Sequence, residues 1–389
     1  MMKKLLAVFA VLALTIPLGF SAALAETAAP VYAASDLFTS RDLEQEADLT
    51  NAVAYTVTDG QDIHITAAGV YVLTGSARDV EVYVEAGEDD KVQIVLDGVA
   101  VTNTAFPVIY AKTADKVFVT TVADSSLSVT GKFTSDGSTN TDGVIFSKCD
   151  LVLSGTASLT VSSADNGIVA KDDLKITGGA YAVTASAKAI EANDSIRIAG
   201  GELYLIAGTD GLHAENDEDD TLGYVYIGGG SLLIQAGDDG IHATSVVQVD
   251  GGTLTIKAAE GIEGTYIQIN GGTVNIQASD DGINAARKSG AYTPTVEIND
   301  GDITVAMGAG DTDGIDSNGN IIVNGGTVSV TGNSTFDCDG TAQYNGGTII
   351  VNGQQVSAIP NQMMDGGWGA RNGGFGGGYN GGGRGGWGR

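Results

Sequence analysis

Acidic residues recur at regular places in this chain, and that recurrence is its most direct hint of chemistry. An acid stands directly before a glycine at Asp142, Asp210, Asp239, Glu260, Asp281 and Asp313, and again at Asp339. Asp238, Asp280, Asp311 and Asp337 add second carboxylates close by. One Asp-Gly is ordinary turn chemistry. A file of them is different. Like charges about 4.8 Å apart repel by roughly 1 kcal/mol in water and several times that at an effective dielectric of 20. Hard carboxylates grouped with carbonyl oxygens are what Ca²⁺ prefers. The expected sites lie between neighbouring coils. One groups Asp238 and Asp239 with Asp280 and Asp281; the other groups Asp311, Asp313 and Asp316 with Asp337 and Asp339.

The elements that would line these acids up are read from a repeat. The signal Asp-Gly-Ile-x-Ala, or a relative of it, returns at Gly143, Gly167, Ala189, Gly211, Gly240, Gly261, Gly282, Gly314 and Gly340. The steps are mostly about 21–24 residues, the mark of a solenoid rather than one closed core. Inside each unit Val247, Val249, Leu254 and Ile256 alternate with polar residues, as half-buried strands do. Gly-Gly pairs at 251–252, 271–272 and 325–326 punctuate the strands. They supply corners that need positive φ. Three short strands and three corners make one coil of an all-β parallel β-helix, each coil about 4.8 Å above the last. Asn270, Asn324 and Asn345 precede Gly-Gly pairs, and Asn299 stands at the same place before Asp300-Gly301. Stacked, they form a hydrogen-bonding ladder, each Asn being tolerant of a left-handed backbone.

A second column follows from the alternation. Glu191, His213, His242, Glu263, Asn284 and Asp316 stand between an apolar residue and a small one. The apolar neighbours point inward, so these six are expected to face solvent as a polar stripe suited to an extended polymer. Stacked, His213 and His242 would also be a weak signal for a transition metal.

Two insertions interrupt the repeat, and solenoid insertions often map to the binding face. The first carries Asn216, Asp217, Glu218, Asp219 and Asp220, with Asp217 a further candidate ligand. The second carries Arg287, Lys288 and Tyr292, with Arg287 and Tyr292 expected to contact carbohydrate.

Residues 1–25 read as a secretion signal: Lys3 and Lys4, an apolar run, then Ala23-Leu24-Ala25. Residues 26–135 read as a cap and irregular opening coils, 136–357 as the regular stack. Residues 358–389 read as a disordered Gly/aromatic/Arg tail that could touch a cell wall. Without the signal's two lysines the charge becomes −29 − 2 = −31, which disfavours nucleic acid. No later run is long enough to span a membrane. Cys149 and Cys338 fall in the first and last motif coils, roughly 38 Å apart at the spacing of stacked strands, so both are expected as free thiols. A secreted monomer follows.

The phrases GVYVLTG, KVQIVLDGVAVTN, TADKVFVT, FSKCDLVLSG, AKDDLKITGG and ENDEDDTLGYVYIGGG resemble a secreted polysaccharide-binding β-helix family related in fold to pectate lyases. The resemblance runs from about residue 36 to residue 357. It implies a right-handed helix, bound calcium and plant cell-wall glycans such as cellulose-like or polygalacturonate chains, without demonstrated lyase activity. Cys149 departs from the family pattern, which has Asp there. A polysaccharide lyase is the alternative. It would need a base beside the calcium, and the candidates are Arg197, Arg287 and Lys288. A surface adhesin scaffold is the third reading.

Overall fold

The computed structural model describes residues 29–308 and 312–360. The expected signal, Asp311 and most of the expected tail lie outside them. The described chain is all-β save for one short helix, Ala34–Leu37.

One coil shows the plan. Val246–Val249, Thr253–Ala258 and Glu260–Gly264 lie on three successive faces. Each pairs in parallel with the matching strand of the next coil. The third face is a 12-stranded sheet, and the other two are joined as a 24-stranded sheet. They merge at the opening, where the long strand Lys91–Asn103 pairs with Lys116–Ala123 along its first half and with Ser125–Val129 along its second. The strands from Val53 to Val129 thus belong to the same two sheets as the later coils. All strand ladders described are parallel except the last, where Gln354–Val356 folds back on Thr348–Val351.

Aliphatic side chains stack down the interior. Leu203, Leu232, Leu254, Val274, Ile303, Val328 and Ile349 follow one another in register, and all are buried. Each such side chain is stabilised by about 1.5–3 kcal/mol relative to exposure. A coil cannot bury these residues alone, so the stack is the core.

The corners depend on glycine for two reasons. Gly252 has φ +90°, and a Cβ there would lie 2.8 Å from the carbonyl of Gly230 in the coil before. The Asn residues tolerate a left-handed backbone but do not use it; the glycine two residues on does. Their ladder does form: Asn299 donates to Asn270 Oδ1 at 2.8 Å, Asn324 to Asn299 at 2.7 Å and Asn345 to Asn324 at 2.8 Å.

The segment read as a cap is instead a strap along the side of the first face. Val31 and Tyr32 hydrogen-bond Gln268 and Gln248. Leu37 packs with Tyr224 and Tyr226. Asp42, 0 % exposed, bridges Lys116 at 3.3 Å and Lys175 at 3.1 Å. Gln45 accepts from the Gly155 amide and donates to the Thr177 carbonyl. The strap therefore ties distant coils together with buried polar contacts. Cys149 and Cys338 are buried and form no disulfide with each other. No described helix is long and apolar enough to cross a membrane.

Candidate functional site

The third face carries a register column along the solenoid. In order its members are Val169, Glu191, His213, His242, Glu263, Asn284, Asp316 and Asp337, each paired with the next. A second file flanks it. Asp239 pairs with Glu260 and Asp313 with Ser334. The Asp239 amide donates to Asp210 and the Asp313 amide to Asp281. The column and the acid file therefore lie side by side.

The glycine after each acid is not a turn glycine. Gly240 sits inside the strand Asp239–Ala243 without positive φ. A Cβ there would lie 2.3 Å from Ile256 Cγ2 and 2.5 Å from the Gly261 carbonyl. Glycine is needed because the neighbouring coil presses on this point, and the acid before it is held at the column's edge.

The column is not the solvated stripe expected from alternation. Asp210, His213, Asp239, His242 and Glu263 are 6, 6, 6, 9 and 8 % exposed, and Glu191, Asn284, Asp313, Asp316 and Asp337 are half-buried. The acid file packs against the column, and the two insertions reach towards it. Lys288 Nζ lies 2.9 Å from Glu263 Oε2. Ser289 Oγ donates to the Asp220 carbonyl at 2.6 Å, so the two insertions also meet each other.

Three neighbourhoods differ along this column. At its start Glu191 contacts Lys171 at 2.8 Å and Lys188 at 3.5 Å. Burial raises its pKa, but the two lysines and His213 outweigh burial and hold it low. In the middle His213 and His242 stack with ring centroids 4.5 Å apart. His213 stands 2.8 Å from Asp210 and 3.0 Å from Glu215. His242 Nδ1 stands 2.8 Å from Asp239 and 3.0 Å from Glu263. Burial disfavours the imidazolium, yet these carboxylates raise His242 to about 9. Asp239 is pushed up by burial, while His242 and Lys288 overcome burial at Glu263 and hold it down.

At the far end Asp313, Asp316 and Asp337 bring carboxylate oxygens within 4.8 Å of one another. Burial first, then Asp281, Asp313 and Asp337, push Asp316 up to about 7. The Asp313 carboxylate accepts from Ser334 Oγ in the next coil. The buried Asn284 Oδ1, one coil before Asp316, has no hydrogen-bond partner among the described residues.

Several sequence expectations are corrected by this register. Asp238 and Asp239 do not adjoin Asp280 and Asp281, because the Glu260 coil lies between them. Asp238, Asp280 and Asp217 are exposed. Asp339 leaves the acid file: Ser317 pairs with Cys338, so Asp339 falls past the strand end and Asp337 takes the column place. Asp311 lies outside the described residues. Arg287 is exposed. Tyr292 belongs to a different edge, with its ring 6.1 Å from Tyr266 in the cluster that also holds Tyr32 and Tyr224. Arg197 lies on the strap side, 2.6 Å from Asp173 and over the Tyr224 ring.

Sequence reasoning also missed the column's N-terminal continuation. Before Val169 come His64, Tyr83, Tyr110 and Phe146 in the same register. His64 stacks on Tyr83 at 5.0 Å, and Phe106 closes on Tyr83 and Tyr110 at 6.1 and 5.7 Å. His64 is exposed, while Tyr83 and Phe106 are half-buried. The signal was present as one aromatic in each of the short strands Val82–Glu85, Ile109–Thr113 and Gly143–Ser147, but without Asp-Gly nothing phased them with Glu191.

Fold and site together define a parallel β-solenoid with an axial column that is aromatic at one end and ionisable along the rest. The chain belongs to the carbohydrate-binding domain-containing protein family, whose sequence profile matches residues 59–311 and 260–356. A curated relative from Acetivibrio thermocellus, also described as a carbohydrate-binding domain-containing protein, is 34% identical over 131 residues. That match covers 32% of this chain and 46% of the relative, so the chain spans about half of the relative's length. A solved structure, described as the polysaccharide lyase-like protein from C. thermocellum, gadolinium derivative, superposes with a TM-score of 0.51 at 31% identity. It covers 57% of this chain and 96% of its own.

Proposed function

We propose that this chain is a secreted, non-catalytic polysaccharide-binding protein, a right-handed β-helix whose axial column binds glycan and whose far end holds calcium. One observation carries the reading: a straight file of polar side chains runs coil by coil beside exposed and half-buried aromatic rings, in a family of carbohydrate-binding proteins. Rings such as His64 and Tyr83 offer a flat apolar face with a polar edge to a sugar. The file offers hydrogen bonds at intervals of about 4.8 Å.

Calcium fits Asp313, Asp316 and Asp337 by donor chemistry. The ion takes oxygen ligands at about 2.3–2.6 Å, so opposed ligands stand roughly 4.6–5.2 Å apart. Three carboxylates lie within that reach, and the unpaired Asn284 oxygen is one coil away. When bound, the ion would neutralise the repulsion that pushes Asp316 towards its neutral form.

Retention on insoluble cellulose and on pectate gel, with and without chelator, tests the reading. Binding to at least one glycan is expected. A protein this acidic should release pectate when calcium is removed, and no retention on either matrix would overturn the proposal. Lyase chemistry has weaker support. Arg197 is engaged on another face, and Lys288 contacts Glu263, two coils from Asp316. Unsaturated product from polygalacturonate with calcium would reverse that assignment.

A further inference from the structure

We propose a second metal site, distinct from the calcium triad and selective for a borderline first-row divalent ion such as zinc, formed by Asp239, His242 and Glu263. Three observations support it.

The first is spacing. Ligands about 2.0–2.2 Å from a tetrahedral zinc ion stand roughly 3.3–3.6 Å from one another, so the donors named next would open by about half an ångström to admit it. His242 Nδ1 is 2.8 Å from Asp239 Oδ2 and 3.0 Å from Glu263 Oε2. The three donor atoms all lie within 4.8 Å of one another. A single N–H on Nδ1 can serve only one of the two carboxylates, and it is aligned on Asp239.

The second is donor type. An imidazole nitrogen suits zinc, copper and nickel, whereas calcium takes oxygen. One nitrogen and two carboxylates leave a position for water. Water can reach the site through a cleft lined by His242, Thr244, Asp217, Asp220 and Lys288.

The third is duplication. Asp210-Gly-Leu-His213 repeats Asp239-Gly-Ile-His242 one coil earlier and in register. His213 Nδ1 also stands 2.8 Å from its acid. The stacked rings brace each other, so the donors of His242 are held by packing.

Lys288 is the competitor. Its ammonium group lies 2.9 Å from Glu263 Oε2 and comes from the second insertion, with 32% of its side chain exposed. The ion would displace it outward.

Calorimetry of the full-length protein with zinc, with calcium already saturating, tests the site. One zinc equivalent is expected. Glu263→Gln and His242→Gln should each weaken binding at least about tenfold, in line with or beyond the loss seen for outer-shell changes. Lys288→Met should tighten zinc binding several-fold, an outcome that a purely structural ion-pair network does not produce. Cobalt as a probe should give a visible absorption band that Glu263→Gln abolishes and Asp316→Asn leaves intact. If zinc fails to bind, or if Lys288→Met destabilises the protein without tightening zinc, the four groups are only an ion-pair network. If Asp316→Asn removes the zinc heat instead, the ion sits at the calcium triad and the proposal is wrong.

Discussion

Two acid clusters on one column invite comparison. Asp239, His242 and Glu263 are nearly closed off and carry their own cations, the imidazolium and Lys288. Asp313, Asp316 and Asp337 are half-buried, and the charges that act most strongly on Asp316 are the carboxylates of Asp281, Asp313 and Asp337. The folded consequences have opposite sign. In the first cluster His242 is held charged up to about 9 and Glu263 is held ionised. In the second, Asp316 is driven towards its neutral form, with a pKa of about 7. The same backbone geometry thus supports two electrostatic states. The choice turns on His242, where the second cluster has Asp316, and on Lys288 delivered by an insertion to Glu263.

The largest expected effect breaks the contrast directly. Glu263→Ala leaves buried positive charge beside it and should lower stability by about 3–5 kcal/mol. Asp316→Asn removes one repelling charge and should raise stability in chelator. Denaturant unfolding of both variants reads the two signs, and equal signs would dissolve the distinction.

Calcium comes next. At a hundred times its dissociation constant it should add about 2.7 kcal/mol to the native protein and nothing to Asp316→Asn. Thermal melts against calcium concentration check this.

The pH dependence is a finer test. Asp316 binds its proton more tightly folded than unfolded, so ionising it costs stability. The chelated protein should weaken as pH rises from about 4 to about 7. Calcium should remove that decline. His242 is raised in the folded state, so its contribution is complete below about 6.5 and disappears as pH climbs through about 9. Unfolding curves across this range should lose the later decline in His242→Gln.

The smallest effect is a control. Arg287 is exposed, and Arg287→Ala should change stability by no more than about 0.5 kcal/mol and leave glycan retention unchanged. A large loss of retention would move the binding surface onto the second insertion.

Much of this was legible in order and little in depth. Alternation and Gly-Gly pairs were enough to place Glu191, His213, His242, Glu263, Asn284 and Asp316 in one file, because a period-2 strand and a coil repeat leave each residue one possible neighbour above and below. The Asn ladder followed for the same reason. The solvent exposure assigned to that file was wrong. Alternation separates inside from outside but does not say what lies over the outside. The acid file and the insertions cover it, and their positions depend on contacts such as Lys288 with Glu263. Asp339 was misplaced because the last coil has Ser334 where its predecessor has Asp313, and counting from the nearest Asp-Gly slips the register. The strap was unreadable. Asp42 is a lone acid in a polar segment until Lys116 and Lys175, far along the chain, close around it.

By itself, the sequence determined that the chain is all-β and builds coils that repeat, because local periodicity and glycine stereochemistry act over a few residues. It also determined which residues share an edge, since a ladder fixes neighbours once the repeat is phased. Only the tertiary structure decided which of those residues are buried and which acids lie beside a cation. Charge balance in a stacked ribbon is a property of neighbours brought from other coils and loops, and the dielectric they create exists only once those pieces have packed.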